Sequence, residues 1–278
     1  MKDRPPVVAA IPNYNMGQQL KDLLPELSKQ NYADIFVLDD ASTDDSREVV
    51  EGFNRGSSGV RFVTHAENRG SGSARNLIID ALGYSAIIHF LDADVSLQTE
   101  RVVEVAHDIM PIEPAGFIGG LVLSSEGIQS AWNYGPRQGL RADLKASLIQ
   151  NRIASLISSN PDEARALRRR FGNLLSDWPD PFSEPLRRQV FWNIEGNLLI
   201  QSDVFAKFCG FDEKLREHEI QDLAIRLNER KLERYFDPSI EVVHKNEQNV
   251  REYNRLLAML KAELYINRKH GLRNWIKG

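Results

Sequence analysis

Through its first hundred residues the chain alternates short apolar runs with stretches whose apolar residues recur every three or four positions. Val7 to Ile11, Ile35-Phe36-Val37-Leu38, Val60 to Thr64 and Ile87 to Leu91 have the length and composition of buried strands. Between them, Met16 to Gln30 carries Leu20, Leu23, Leu24 and Leu27 at helical spacing. Asp44 or Asp45 can cap a second helix that sets Val49, Val50 and Phe53 on one face, and Ser73 to Leu82 reads as a third. Repeated strand–helix units predict an α/β fold with a largely parallel sheet, whose strands present function at their carboxyl ends.

Polar chemistry falls at those ends. Asn13-Tyr14-Asn15 follows the first strand, Asp39-Asp40 the second and Asp92-Ala93-Asp94 the last. If extended geometry continues past Leu91, Asp92 and Asp94 point the same way, because strand side chains repeat every second residue. Two carboxylates converging at a strand mouth repel unless they share a cation; otherwise they serve as helix caps. Oxygen ligands suit Mg²⁺ or Mn²⁺, which fill their remaining positions with substrate phosphate and water. Three polar strand ends facing one crevice predict a nucleotide site. The Gly-rich turn Asn68-Arg69-Gly70-Ser71-Gly72-Ser73-Ala74-Arg75-Asn76 opens a helix and can bring backbone N–H groups to phosphate. It is no dinucleotide fingerprint, since Arg75 stands where a small residue is needed. Arg75 is read as a partner for a diphosphate or a base, or as an exposed helix arginine.

Composition narrows the class. With 278 residues, 42% hydrophobic and 27% charged, the chain can bury a full core. No apolar run approaches the roughly 20 residues that span a bilayer, and the first residues lack the apolar core of a signal peptide. Cys209 is the one cysteine; it is read as buried packing and, with no disulfide to form, fits a reducing cytoplasm. The net charge of −4 argues against a general nucleic-acid binder. Residues 137–188 nevertheless hold ten Arg/Lys against six Asp/Glu, a local +4 that leaves −8 elsewhere. Arg168-Arg169-Arg170 there reads as a solvated helix face rather than an anion or membrane contact.

The series IPNYN, LDDASTDDS, ENRGSGSARN and FLDAD resembles the family 2 glycosyltransferases of the GT-A fold, in order and spacing. The resemblance resumes at Glu195-Gly196-Asn197-Leu198-Leu199-Ile200, at Cys209-Gly210-Phe211-Asp212-Glu213 and through Glu219 to Leu227. It implies a Rossmann-like nucleotide-sugar half (1–100) fused to a smaller acceptor half (101–245) around a mixed, mostly parallel sheet. A helical insertion (124–190) and a helical tail (246–278) complete the expected organisation. By position, the resemblance makes Pro12 and Tyr14 part of the nucleotide pocket, with Gly72 and Arg75 on the phosphate side. Asp40 would accept from the base, commonly uracil. Asp92, with Ala93 beside it, would approach the ribose or the metal; Asp94 would be the principal metal ligand and His244 a further one. An imidazole beside carboxylate oxygen favours Mn²⁺ somewhat over Mg²⁺.

The implied reaction moves a hexosyl or N-acetylhexosaminyl group from a nucleotide sugar, UDP-linked by preference. In the family the base often comes from a Glu-Asp pair, which here reads Glu219-Ile220. Glu219 becomes the expected base, with Asp222, three residues on and able to share its face, orienting the acceptor or Arg226. Ile220 leaves inversion against retention open. A nucleotidyltransferase is the second enzyme class, but Asn13-Tyr14-Asn15-Met16 holds no Lys or Arg for the basic loop it would need. A third reading is a binding subunit that lost its base at Ile220.

The acceptor, whether glycan, lipid, peptide, nucleic acid or small metabolite, is left open. Trp132, Trp178 and Trp192 can stack on sugars, but packing is the expectation. Pro161 after Asn160 marks a break between two helices, the first with Leu144, Leu148, Ile149, Ile153, Leu156 and Ile157. The tail from Val250 to Trp275 reads as an amphipathic helix with Leu256, Leu257, Leu260, Leu264 and Tyr265, interrupted at Gly271. It can dock on the domain, pair two subunits or rest on a membrane.

Overall fold

The computed structural model describes residues 4–56, 59–110, 115–137, 142–245 and 253–271. Val250 and Trp275 lie outside the described residues, as do the side chains of Leu144, Leu256 and Leu257. The first half runs β1 (Val7–Asn13), α1 (Gly17–Leu27), β2 (Ile35–Asp39), α2 (Ser46–Gly56), β3 (Val60–Thr64), α3 (Ser71–Ala81) and β4 (Ile87–Leu91). Then follow β5 (Val95–Leu97), α4 (Val102–Ile109), β6 (Phe117–Leu123), β7 (Tyr134–Gly135), α5 (Ala142–Leu156) and α6 (Pro161–Arg170). The remainder is β8 (Arg188–Gln189), β9 (Trp192–Asn193), β10 (Asn197–Gln201), α7 (Ser202–Lys207), α8 (Glu219–Glu229), β11 (Arg234–His244) and α9 (Tyr253–His270).

One mixed sheet organises the chain in the order β3-β2-β1-β4-β10-β6-β11-β5, with β8 on β11. Strands β3, β2, β1 and β4 run parallel, as the strand–helix alternation predicts. The chain then inserts β10 antiparallel between β4 and β6. Both expected halves thus share a sheet. Along β1, Val8 and Ala10 enter a core with Ile78 of α3 and Leu223 of α8, while Ala9 and Ile11 pack with α1. Coverage of both faces explains why the strands read as continuous apolar runs.

Helix α3 starts two residues before its expected Ser73, because Gly70 (φ +96) makes the break that separates loop from helix. Asn160 caps α6, its side chain accepting from the Glu163 N–H at 3.3 Å, and Pro161 occupies the first turn. In the basic segment Arg169 and Arg170 are exposed, while Arg168 turns back to Asp180 at 3.2 Å. Trp178 stands edge-on between Trp132 and Trp192, with centroids 5.4 and 5.9 Å away, so these rings pack against one another.

Cys209 departs from expectation: it is exposed rather than buried. It and Gly210 take φ values of +58 and +60 in the turn after α7, which carries the thiol outward. Helix α9 docks on the domain. Ala262 and Ile266 bury against Leu215, and Gly271 (φ +79) follows the last helical residue. Leu260 and Leu264 face away and are exposed.

Candidate active site

Strands β1, β2 and β3 each end in a polar residue held by its neighbours. Asn13 donates through Nδ2 to Asp39 Oδ1 (2.7 Å) and Ser42 Oγ (3.0 Å). Asp39 also accepts from Thr64 Oγ1 at 2.8 Å, so it knits β1, β2 and β3 together. Asp40 is equally buried and faces the Gly-rich turn. Its Oδ2 accepts from the Gly70 N–H (2.6 Å), and its Oδ1 accepts from the Arg69 N–H (2.8 Å) and contacts His65 Nδ1 (3.0 Å). Asp40 therefore shapes the Gly-rich turn. Pro12 is half-buried in β1, while Tyr14, just past the strand, stands 48% exposed.

Asp92 and Asp94 converge for a reason other than strand alternation. The chain leaves extended geometry at Leu91 and turns through Ala93 and Asp94, with the Val95 N–H donating back to the Asp92 carbonyl at 3.4 Å. Ala93 is buried in that turn. Pairing of β5 with β11 sets Val95 opposite His244, delivering the imidazole to the same corner. Asp92, Asp94 and His244 each offer a ligand atom, all within 4.8 Å of one another. His244 Nε2 lies 3.3 Å from Asp94 Oδ1, and its buried Nδ1 has no hydrogen-bond partner. Burial raises the Asp94 pKa, His244 opposes this and Asp92 adds to it. Two carboxylates and one imidazole, whose other ring nitrogen has no hydrogen-bond partner, fit a divalent cation of the Mn²⁺ or Mg²⁺ kind.

Arg75 is a buried residue, not an exposed helix arginine. Its Nη2 sits 2.6 Å from Asp92 Oδ1. Behind Asp92 lies Gly196, where a Cβ would come 2.9 Å from the Asp92 Cγ and closer still to Oδ2. Across the crevice, Gly72 leaves space for Glu219: a Cβ at 72 would meet the Glu219 Cγ at 2.9 Å. The Ser71 hydroxyl donates to Glu219 Oε1 at 3.4 Å. Glu219 therefore points from α8 toward the start of α3, while Ile220 buries its side chain in the core.

Asp222 does not join Glu219, although the spacing allows it. It is fully buried against α9, where Arg226 Nε (2.8 Å), Lys269 Nζ (2.8 Å) and His270 Nε2 (2.7 Å) surround it. Burial alone would raise its pKa, but the His270 hydrogen bond, Arg226 and Lys269 bring it down to about 2.

One site residue gave no signal of its own. Glu195, between β9 and β10, accepts from the Ile220 N–H at 3.3 Å and lies among Arg75, Glu219 and Asp92. Burial pushes it up to about 7, opposed by Arg75 and reinforced by Glu219. Only its place in the Glu-Gly-Asn-Leu-Leu-Ile run could have drawn notice. Gly196 and His65 were silent for the same reason, being defined by neighbours distant in sequence.

Residues 8–173 match glycosyl transferase family 2. The chain belongs to that family. A succinoglycan biosynthesis protein, ExoU of Rhizobium meliloti (strain 1021), is 41% identical over 68 residues, 24% of this chain and 20% of that protein. The mannosyltransferase PcManGT from Pyrobaculum calidifontis, solved with GDP-Man and Mn²⁺, superposes with a TM-score of 0.62 at 15% identity. That likeness covers 97% of this chain and 65% of the other. GalNAc-T7, solved with UDP, GalNAc and Mn²⁺, gives 0.62 at 13% identity over 88% of this chain and 45% of its own. The chain thus spans a fifth of the curated relative and less than two thirds of either structure. The fold of this family 2 glycosyltransferase is GT-A. Among the described residues, no helix is long and apolar enough to cross a membrane.

Proposed function

We propose that this family 2 glycosyltransferase moves a hexosyl or N-acetylhexosaminyl group from a UDP-linked donor to an acceptor hydroxyl with inversion, Glu219 serving as base. The observation that carries the reading is the corner formed by Asp92, Asp94 and His244, with ligand atoms within 4.8 Å, beside buried Arg75. The nucleotide-bound neighbours agree with it. Pro12, Tyr14 and Asp40 form the base side of the donor pocket, while Gly72, Arg75, Asp92 and Ala93 form its diphosphate side.

A divalent cation held by Asp94, His244 and Asp92 would supply Lewis acidity to the departing diphosphate. The chain's own groups supply the rest. Arg75 offsets the negative charge that grows as the C1–O bond to phosphate breaks and its electron pair leaves with the diphosphate. Glu219, on the opposite side of Gly72, takes the proton of the acceptor hydroxyl as that oxygen bonds to C1. Burial of the Ile220 side chain supports Glu219 in this role, since an acid at 220 in the same orientation would point into the core rather than the crevice. Asp222, enclosed by Arg226, Lys269 and His270, orients Arg226 and α9 instead of an acceptor.

Calorimetric titration of UDP and GDP with and without Mn²⁺ tests the donor reading. UDP binding that requires Mn²⁺ and disappears in Asp94→Ala is the expected result. Metal-independent binding, or metal-dependent binding retained in Asp94→Ala, overturns it. Glu219→Gln is expected to spare that binding and slow turnover about 100-fold or more, as loss of a positioned base does.

A further inference from the structure

Two glycines of the turn that opens α3 make room for side chains from a distant segment. A Cβ at Gly70 would come 2.7 Å from Arg216 Cδ and 3.2 Å from its Nε, just as one at Gly72 would meet Glu219. Arg216 and Glu219 both belong to the stretch that enters α8. Each crosses the turn where no side chain stands in its way, Arg216 at Gly70 and Glu219 at Gly72. Gly70 is required twice over, since its φ of +96 also favours glycine.

The contacts continue along the arginine. Its Nη1 donates to Asn68 Oδ1 at 2.8 Å and its Nη2 to the Asn68 carbonyl at 3.3 Å. A planar guanidinium that holds both the side chain and the backbone of one residue fixes direction as well as distance. From the other side, Asp40 accepts from the Arg69 and Gly70 N–H groups. The turn is thus gripped by a carboxylate at the end of β2 and by a guanidinium on the approach to α8. That approach has its own anchors. Asn76 of α3 exchanges two hydrogen bonds of 2.8 Å with the Phe211 backbone, and Leu215 buries against Ala262 and Ile266 of α9. His218 (φ +65) then swings the chain into α8. Arg216 lies between the Leu215 anchor and Glu219, and it ties this stretch to the turn that Glu219 faces.

We propose that Arg216 is a positioning residue: through Asn68 it locks the Gly-rich turn to the approach of α8 and so sets where Glu219 stands against the donor. It touches neither the transferred sugar nor the acceptor's proton. The consequence in turnover rests on the donor and base reading above; the lock itself does not.

Hydrogen exchange followed by mass spectrometry in the full, metal-free and nucleotide-free chain tests the lock. The Arg69 and Gly70 amides, bonded to Asp40, report on the turn. Arg216→Ala is expected to speed exchange several-fold in two peptides at once, one spanning residues 66–73 and one spanning 213–220. Asn68→Ala is expected to reproduce that pattern, while Arg216→Lys, which keeps one bond to Asn68, falls between. Unchanged exchange in the 66–73 peptide of Arg216→Ala overturns the proposal.

The consequence in turnover is read as nucleotide release from UDP-GlcNAc and GDP-mannose with Mn²⁺. Arg216→Ala is expected to lose about tenfold or more in kcat, as misplacement of a reacting group does. Donor KM and Mn²⁺-dependent UDP affinity are expected to change by less than about threefold. Asn68→Ala should match it, and the double variant should lose no more than the worse single one, because both break the same link. Losses that multiply in the double variant sink the assignment. So does a loss confined to nucleotide affinity, which would make Arg216 a donor ligand instead. Should the wild-type chain bind neither nucleotide with Mn²⁺, the donor reading fails while hydrogen exchange still decides the lock.

Discussion

Arg75 and Asp92 form a tight pair, Nη2 to Oδ1 at 2.6 Å, in which the arginine is buried and the carboxylate part-solvated. The same Asp92 offers a ligand atom to the corner shared with Asp94 and His244. A cation in that corner would therefore compete with Arg75 for Asp92. On the proposed donor reading, removing the arginine charge would free Asp92 for a metal but strip the diphosphate of its partner. Arg75→Met is expected to tighten Mn²⁺ alone several-fold and to weaken Mn²⁺-dependent UDP binding tenfold or more, roughly the worth of one charged hydrogen bond. Calorimetry with metal alone and then with nucleotide separates the two effects. A fall in both affinities would show that Arg75 acts only as structural support.

Gly196 has a steric task. Its missing Cβ is the space that the Asp92 carboxylate occupies. Gly196→Ala is expected to displace Asp92 from both Arg75 and the cation corner, at about 1–3 kcal/mol in folding stability for an overpacked site. Urea denaturation should show a modestly lowered midpoint, while metal-dependent thermal stabilisation disappears.

Two groups, buried His89 and part-buried Glu195, make opposing contributions to the pH dependence of stability. His89 is enclosed between Tyr32, whose hydroxyl contacts Nδ1 at 2.7 Å, and Asn197, whose Oδ1 faces Nε2 at 2.9 Å. Burial depresses its pKa to about 4, with the Asn197 hydrogen bond opposing. Between pH 6.5 and 4 the unfolded chain binds a proton that folded His89 refuses, so stability falls as pH falls through this window. Glu195 works the other way. Raised to about 7, it keeps a proton that the unfolded chain releases near 4.5, so stability falls as pH rises between those values. Each amounts to roughly 3 kcal/mol by linkage, so they nearly cancel in the wild-type chain. Glu195→Gln should uncover the histidine, giving urea midpoints that climb steadily from pH 4 to 6.5.

Asp222 controls a lower window. Held at about 2, it contributes stability that is complete above its ordinary value of 3.8 and is lost as pH falls through 2. Asp222→Asn should cost about 2 kcal/mol at neutral pH and almost nothing near pH 2. Denaturant titrations at both pH values check this, and an equal loss at both would place the effect in packing instead of charge.

The alternation of strands and helices was legible because both faces of the sheet are covered, which makes each strand an unbroken apolar run. The acidic pair after β4 was legible as a motif, but for the wrong geometric reason: a turn, not strand alternation, brings Asp92 and Asp94 together. Position 220 read as a missing acid because sequence shows identity without direction, whereas Ile220 points into the core. Spacing likewise put Glu219 and Asp222 on one face, yet α3 draws one side and α9 the other. Glu195 and Gly196 were legible only as part of a family run, and His65 not at all, since each acquires its role from residues tens to more than a hundred positions away. Cys209 was misjudged because small free thiols are usually buried, and the left-handed turn at 209–210 overrides that tendency.

Helix α9 gives the end of the fold a hold on its centre. Lys269 ties Asp212 and Asp222 together at 2.7 and 2.8 Å, and His270 closes on Asp222 from the last helical turn. Asp222 belongs to the same helix as Glu219. The last helical turn of α9 is therefore a clasp on α8, the helix that also carries Glu219.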